Sequence, residues 1–285
     1  MIKIGLLDVD GKLPNLALMK LSAYHKAAGD STEIYNPMFS AVDRLYASKV
    51  FTNTPDFNYF PACEVVKGGS GYDLKSEIPK EAEHIYPDYD LFGCDYAMGF
   101  STRGCIRSCS FCIVPEKEGK IRAVADISEF WRGQRRIKLL DNNLTAEPEQ
   151  FRRVLNDLIK HKIKTDFSQG LDIRLIDDDK AAFLAKVSLW KQIHFAFDDV
   201  KQEQSVRRGI KILAKAMPVS RLMFYVLVGY NSTEEEDLYR IKLLDSLGVS
   251  SFVMPYGKSK YEKDLSRWCN RKWIFKATSW ENYKR

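Results

Sequence analysis

The hydrophobic positions of the chain follow two different periods. Short apolar runs without helical spacing, such as residues 2–7, predict buried strands, whereas apolar residues spaced three and four apart, as in 149–161, predict amphipathic helices. Strands and helices are predicted to alternate along the chain, which is typical of an α/β fold with a parallel sheet, open or curled into a barrel. In such sheets, reactive groups collect on the loops that follow the carboxyl ends of the strands.

The first 90 residues predict a small α/β domain. Strands are predicted at 2–7, 32–35 and 49–51, with a helix that begins near Pro14 and ends at Gly29. Residues 67–72, with three glycines in four positions, are expected to be irregular. The proline-containing, acidic stretch 77–90 is interpreted as the connector to the next domain.

From residue 91 to residue 258 the alternation becomes regular and predicts a second domain. Its strands are predicted at 96–100, 136–140, 164–167, 192–197, 221–228 and 251–254. Helices are predicted at 149–161, from Asp177, at 203–216, and from a capping box at Ser232 and Glu235 to Gly248. Residues 259–285 form a basic and aromatic C-terminal extension.

Composition narrows the class of protein. The 285 residues carry 44 Lys and Arg against 38 Asp and Glu, a net charge of +6, with 45% hydrophobic residues. These values fit a folded protein and exclude a disordered chain or a collagen. No apolar run approaches the ~20 residues of a membrane helix, and the early acidic residue Asp8 argues against a secretory signal. We therefore expect a cytoplasmic protein whose six cysteines are reduced and available for metal or redox chemistry.

Three cysteines follow the first predicted strand of the second domain. Cys105, Cys109 and Cys112 have the spacing Cys-x3-Cys-x2-Cys. Thiolates in a short loop select zinc, copper(I) or an iron–sulfur cluster. A cluster held by three cysteines keeps one iron open to a small molecule. A zinc knuckle would need a fourth ligand, and the nearest histidines, His84 and His161, lack ligand spacing.

This motif, with Phe111 before its third cysteine, resembles the signature of the radical SAM superfamily. The resemblance implies a partial (β/α)6 barrel, a [4Fe-4S] cluster held by the three cysteines and S-adenosylmethionine (SAM) bound at the open iron. It also implies reductive cleavage of SAM to a 5′-deoxyadenosyl radical that abstracts a substrate hydrogen. A reductant such as flavodoxin or ferredoxin would be the electron-donating partner. Phe111 is expected to pack near the adenine.

The turn after the second barrel strand is the next element of the resemblance. Asp141, Asn142 and Asn143 stand where the family usually has a Gly-Gly-Glu-type turn, and they are similar to the Asp-Asp-Asn-Phe-Thr turn of radical SAM proteins with a cobalamin-type N-terminal domain. The resemblance implies that this turn binds the methionine of SAM, because carboxylate and amide oxygens accept hydrogen bonds from an ammonium. The alternative is a turn that only introduces the following helix.

Later strand ends supply three further candidates for SAM binding. Arg174 can form a two-pronged bond with the methionine carboxylate, or it can pair with Asp172 or Asp177. Asp198 holds the position of an acid that contacts the ribose or the amino group, although adjacent acids also cap helices. The resemblance places Val228 in the strand whose main chain backs the adenine.

The N-terminal domain resembles the Rossmann-like cobalamin-binding module of one radical SAM subgroup and its metal-free relative in methylthiotransferases. Asp10 occupies the position of the cobalt-ligating histidine, and a carboxylate is a poor substitute for imidazole, so cobalamin binding is not expected. The remaining thiols, Cys63, Cys94 and Cys269, are either buried free cysteines or ligands of a second cluster.

The functional prediction is a radical SAM enzyme whose catalytic residue on the substrate is not identified. Basic residues near the cysteine loop and basic and aromatic residues in the C-terminal extension favour a nucleic acid or nucleotide as substrate, with a peptide next. The modification could be of a methyltransferase or methylthiotransferase type. The alternative from another class is a non-catalytic zinc protein that binds nucleic acid, with tryptophans of the extension packed on the barrel.

Overall fold

The structure is a computed structural model that describes residues 1–11 and 13–283. The last two residues of the predicted C-terminal extension, and Lys12 in the loop after the first strand, lie outside the described residues. No helix of the described part of the chain is long and apolar enough to cross a membrane. The domain limits expected at residues 90 and 258 stay predictions.

A parallel sheet of four strands forms the first part of the chain, with the order β2-β1-β3-β4. Its elements are β1 (Lys3–Asp8), α1 (Leu16–Ala27), β2 (Ser31–Ile34), β3 (Arg44–Ser48) and β4 (Glu64–Gly68). Asn15 caps α1 by accepting a hydrogen bond from the Leu18 amide, so the helix begins just after Pro14 as expected. The short helix α2 (Lys80–Glu83) lies in the connector.

Two predictions for this sheet were wrong. No strand forms at 49–51; the third strand of the chain, β3, lies earlier, at Arg44–Ser48. The residues after it form a loop in which Val50 and Phe51 are exposed. The run expected to be irregular from residue 67 begins only after Gly68, because Lys67 and Gly68 still pair with β3. Gly69 then turns the chain with φ +91°, and a Cβ there would lie 2.4 Å from the carbonyl oxygen of Lys49.

All six predicted strands of the second part are present, in two parallel three-stranded sheets with the orders β5-β8-β9 and β10-β11-β12. Between β5 and β8 lie a two-stranded antiparallel hairpin, β6 with β7, and the short helix α3. The ranges are β5 (Ala97–Gly99), β6 (Thr102–Arg103), α3 (Val114–Lys117), β7 (Arg122–Ala123), β8 (Arg136–Leu139), β9 (Lys164–Phe167), β10 (Ile193–Ala196), β11 (Leu222–Val228) and β12 (Ser250–Pro255). An isolated parallel bridge pairs Thr165 of β9 with Leu189, in the segment that leads into β10.

Helices cover one face of these strands. They are α4 (Pro148–Lys160), α5 (Asp178–Lys186), α6 (Glu203–Ala216) and α7 (Glu234–Ser246). In β11 the residues Leu222, Phe224, Val226 and Val228 are fully buried against this layer, whereas the alternate residues are only partly buried. The strands therefore have a helix-covered face and an inner face. Thr233 and Glu236 form the capping box of α7, one residue later than predicted.

The C-terminal extension packs on the edge strand β12. Helices α8 (Lys260–Asn270), α9 (Lys272–Ala277) and α10 (Trp280–Tyr283) follow it. The Asn270 side chain accepts a hydrogen bond from the Val253 amide at 2.7 Å and donates one to its carbonyl at 2.9 Å, so it caps the free edge of β12. Trp268 and Trp280 are buried in the main core, as the packing alternative for the extension anticipated. Single turns of 3-10 helix occur at Tyr89–Phe92, Ile127–Glu129, Leu144–Ala146, Ile173–Leu175, Val200–Gln202 and Val219–Arg221.

Candidate functional site

The cysteine motif lies in the loop that joins β6 to β7, beyond the carboxyl end of β5. Cys105, Cys109 and Cys112 are partly exposed free thiols, and the loop is closed at its base by a hydrogen bond of 3.2 Å from the Cys105 amide to the Gly119 carbonyl. Gly104 opens the loop with φ +83°, where a Cβ would lie 2.3 Å from the carbonyl oxygen of Lys120. Only glycine fits this position.

Nitrogen donors point at two of the three sulfurs. The Arg107 amide lies 3.3 Å and the Asn143 side-chain amide 3.4 Å from the Cys105 sulfur. The Val114 amide lies 3.5 Å from the Cys112 sulfur. Burial raises the pKa of the Cys109 thiol, and the nearby guanidinium of Arg174 acts in the opposite direction. N–H donors stabilise thiolates and tune iron–sulfur clusters, so this loop suits anionic sulfur ligands.

The Asp141–Asn143 turn contacts the residues that begin the cysteine loop. The buried Asp141 carboxylate accepts hydrogen bonds from the hydroxyls of Ser101 at 2.6 Å and Thr102 at 2.7 Å, and from both backbone amides. Burial raises the pKa of Asp141, while these hydrogen bonds lower it. Asn142 accepts a hydrogen bond from the Gly104 amide at 3.0 Å. Each residue of the turn thus contacts the start of the loop, which positions the cysteines.

Asp172 lies between two arginines beside the cysteine loop. It accepts hydrogen bonds from Arg174 Nε at 2.6 Å and from Arg107 Nε at 2.9 Å. Burial raises the pKa of Asp172, but the two guanidinium groups outweigh it and hold this pKa below its ordinary value. The pairing of Arg174 with Asp172 matches one of the two expected partners. Because Asp172 is buried, it fixes the direction of both arginines, and electrostatic interaction reaches from Arg174 to Cys109.

The other predicted positions lie at strand ends around the same loop. Asp198 accepts a hydrogen bond from the Leu227 amide at 3.0 Å, and burial raises its pKa. The Val228 carbonyl accepts a hydrogen bond from the Tyr256 amide at 3.0 Å. The ring of Phe111 meets that of Tyr230 at 5.4 Å, edge to face. The structure thus places Phe111 against the loop that follows β11.

Tyr230 is a site residue that sequence reasoning missed. Its hydroxyl donates to the Ser110 hydroxyl at 2.8 Å, and its ring lies 4.6 Å from that of Tyr256. It therefore ties the cysteine loop to the ends of β11 and β12. The only signal in the sequence was its place after the strand-end glycine, which is too weak to identify a contact with a segment 120 residues away.

Arg103, just before the motif, was predicted only as one of several basic residues. Its guanidinium pairs with Glu118 at 3.1 Å and with Glu83 of the connector at 3.0 Å. Lys20 of α1 also reaches Glu83, at 3.6 Å. A chain of ion pairs thus connects helix α1 to the cysteine loop.

The three other cysteines lie apart from one another. Cys63 packs in the core of the N-terminal sheet, and Cys94 packs against the main core. Cys269 is buried, with its sulfur 3.1 Å from the Ser251 hydroxyl, and burial raises its pKa to about 11. Among the residues that the structure describes, no group of three or more His, Cys, Asp or Glu side chains is arranged to hold a single metal ion.

Sequence comparison finds a partial similarity to a known enzyme. The ribosomal protein uS12 methylthiotransferase RimO of Pseudomonas aeruginosa, from two strains, is 29% identical to the chain over 104 residues. That match spans 36% of this chain and only 22% of the relative. No protein-family model matches the chain.

A solved structure shows a similar fold over most of the chain. It is the radical S-adenosylmethionine methyltransferase TsrM from Kitasatospora setae, described with cobalamin and a [4Fe-4S] cluster bound. The TM-score is 0.63, the sequence identity is 9%, and the likeness covers 89% of this chain and 74% of that one. The predicted α/β fold is thereby confirmed, and the two comparisons together support the resemblance to the radical SAM superfamily.

Proposed function

We propose that this chain is a radical SAM enzyme that modifies its substrate after hydrogen abstraction. The observation that carries the proposal is the position of the three-cysteine loop, beyond the carboxyl end of the first of six parallel strands. That is where α/β sheets place reactive groups. The substrate class stays a prediction, namely a nucleic acid, a nucleotide or a peptide. The reductant, flavodoxin or ferredoxin, and the cytoplasmic location also stay predictions.

Cys105, Cys109 and Cys112 would hold the four-iron cluster. Their soft sulfurs, partial exposure and N–H neighbours fit such a group. When bound, the cluster supplies the open iron and the electron that cleave SAM to methionine and a 5′-deoxyadenosyl radical. The protein positions the three sulfurs, because Gly104 and the Asp141–Asn143 turn hold the cysteine loop beside the strand ends.

Two arginines are available for the carboxylate of SAM. Asp172 orients Arg107 and Arg174, and each guanidinium keeps further N–H donors beyond those that bind Asp172. An arginine that is already oriented loses less side-chain freedom when it binds a carboxylate. Phe111, supported by Tyr230, presents an aromatic ring for the adenine. Asp198 is the acid available for the ribose hydroxyls.

The N-terminal domain does not fit cobalt ligation. Asp10 occupies the place of the ligand histidine, and its carboxylate already accepts hydrogen bonds from the Thr54 hydroxyl at 2.6 Å and from the amides of Val50 and Phe51. A carboxylate committed to three donors of the loop after β3 is a poor cobalt ligand. We therefore assign no step to cobalamin, although the similar TsrM structure contains it.

Anaerobic reconstitution with iron and sulfide tests the proposal. The wild-type protein should bind about four irons per chain and, after reduction, release 5′-deoxyadenosine from SAM. Cys109→Ala should lose both properties, whereas Cys63→Ala, which removes a thiol elsewhere, should keep both. A reconstituted wild type that holds zinc and no iron, or a Cys109→Ala protein that still cleaves SAM, would contradict the proposal.

A further inference from the structure

The inner face of the barrel strands carries a buried carboxylate that the cysteine site does not use. Asp166 of β9 is 1% exposed, and neither of its oxygens accepts a hydrogen bond from a described residue. It lies on the opposite face from Thr165 and Phe167, both buried, of which Phe167 packs in the main core, so Asp166 points to the inside of the barrel. A buried carboxylate without hydrogen bonds is unfavourable, because buried polar groups in proteins nearly always have a partner.

Two lysines balance the charge of Asp166 without satisfying its hydrogen bonds. Lys191 Nζ lies 3.2 Å from one oxygen, outside hydrogen-bond geometry, and its side chain is 53% exposed. Lys138 is the in-register neighbour of Asp166 on β8. Burial lowers the pKa of Lys138, and the charge of Asp166 opposes that shift. With two ammonium groups nearby, Asp166 favours a neutral N–H or O–H donor over a further cation.

The histidine beside Asp166 does not supply that donor. His194 Nδ1 lies 3.1 Å from the Phe167 carbonyl, which can only accept, so the ring proton at Nδ1 is used there. The same nitrogen is 3.8 Å from Asp166, too far for a hydrogen bond. His194 instead presents its ring, which lies 5.1 Å from the ring of Tyr225 with a 42° tilt.

Aromatic side chains continue from this point to the open edge of the barrel. The Tyr225 ring meets that of Phe252 on β12 at 6.1 Å, and its hydroxyl donates to the Ser168 carbonyl at 3.1 Å. On β12, Phe252 is 41% exposed and Met254 is 45% exposed. Their in-register partners on β11, Tyr225 and Leu227, lie on the same inner face. The aromatic rings thus lead from the exposed side of β12 toward Asp166, beside which lies the exposed Lys191 ammonium.

We propose that Asp166 recognises the substrate of the proposed radical SAM reaction, and that the group it binds is a neutral, planar cyclic amide or imide. In such a group an N–H donor stands next to a carbonyl. The N–H would donate to Asp166, and the carbonyl would accept from Lys138. The role of this group as the substrate rests on the proposed function. Its binding to Asp166 requires only the folded protein.

Binding of uracil to the reconstituted protein tests this assignment, with 1,3-dimethyluracil as the matched ring that lacks N–H donors and benzamidine as a cationic donor. We expect saturable binding of uracil by NMR titration at millimolar concentration, and binding of the dimethyl ring weaker by about 10- to 100-fold, the range for a hydrogen bond to a charged group. Asp166→Asn should weaken uracil binding by a similar factor, with Asp177→Asn as the surface control.

Three results would overturn the assignment. They are equal binding of uracil and its dimethyl form, tighter binding of benzamidine than of uracil, and no uracil binding at all. The ring comparison on the wild type stays decisive if Asp166→Asn does not fold. Failure of this binding in a protein that cleaves SAM would refute the assignment alone. Uracil binding in a protein that cannot hold a cluster would refute the proposed function alone.

Discussion

Replacing Gly104 by alanine should release the cysteine loop. At φ +83° a residue with a Cβ loses ~1–2 kcal/mol relative to glycine. The Cβ would also lie 2.3 Å from the Lys120 carbonyl oxygen, so the backbone between α3 and β7 must move, and such overpacking costs ~1–3 kcal/mol. The two costs add to ~2–5 kcal/mol, and they destabilise the closed form of the cysteine loop. Since 1.4 kcal/mol is a factor of ten, the closed loop should lose more than tenfold in population.

Gly133 provides the matched control for this substitution. It lies outside the cysteine loop and also has a positive φ, +94°, but a Cβ there meets nothing within 4 Å, so Gly133→Ala should carry only the conformational cost. The assay is iron per chain after anaerobic reconstitution and desalting, together with the thermal midpoint, which should shift by about 2 °C per kcal/mol. We expect Gly104→Ala to lose most of its iron and Gly133→Ala to retain it. Equal iron content and equal midpoints in the two variants would refute the steric reasoning.

Two further predictions concern stability. Arg240 is fully buried, pairs with Asp237 and donates a hydrogen bond to the Phe197 carbonyl at 2.7 Å. Arg240→Met leaves the Asp237 charge buried without its partner, so it should lower the free energy of unfolding by ~3–5 kcal/mol. Urea denaturation measures this loss, and a loss below ~1 kcal/mol would contradict the prediction. Burial raises the pKa of Asp88, but hydrogen bonds from Lys26 and Ser22 outweigh it and hold this pKa below its ordinary value. The ionised carboxylate therefore stabilises the fold above the unfolded-state pKa of ~3.9, and this contribution disappears as the pH falls through the folded-state pKa. The stability difference between wild type and Asp88→Asn should accordingly be present at neutral pH and vanish in acid, and a difference independent of pH would contradict it.

Local patterns determined most of the secondary structure. The helix predicted at 203–216 has the bounds of α6, and the strand predicted at 221–228 differs from β11 by one residue, because amphipathic period and apolar runs are properties of the segment alone. The third strand of the first sheet was misplaced for the opposite reason. Its residues Arg44–Ser48 carry a weak apolar pattern, but they pair with β1 on one side and β4 on the other, so partners far along the chain select them.

The cysteine spacing was sufficient by itself to predict thiolate ligands in one loop, since three residues within eight positions are near one another in any fold. Tertiary structure alone decided how the loop is held and what lies beside it. Asp172 comes to lie between Arg107 and Arg174 only because two loops meet at the strand ends, 65 residues apart for one of the pairs. Asp166 becomes a buried carboxylate facing the barrel interior only when β8 and β10 flank it. Burial and charge depend on neighbours from distant strands, and no pattern within a single segment records them.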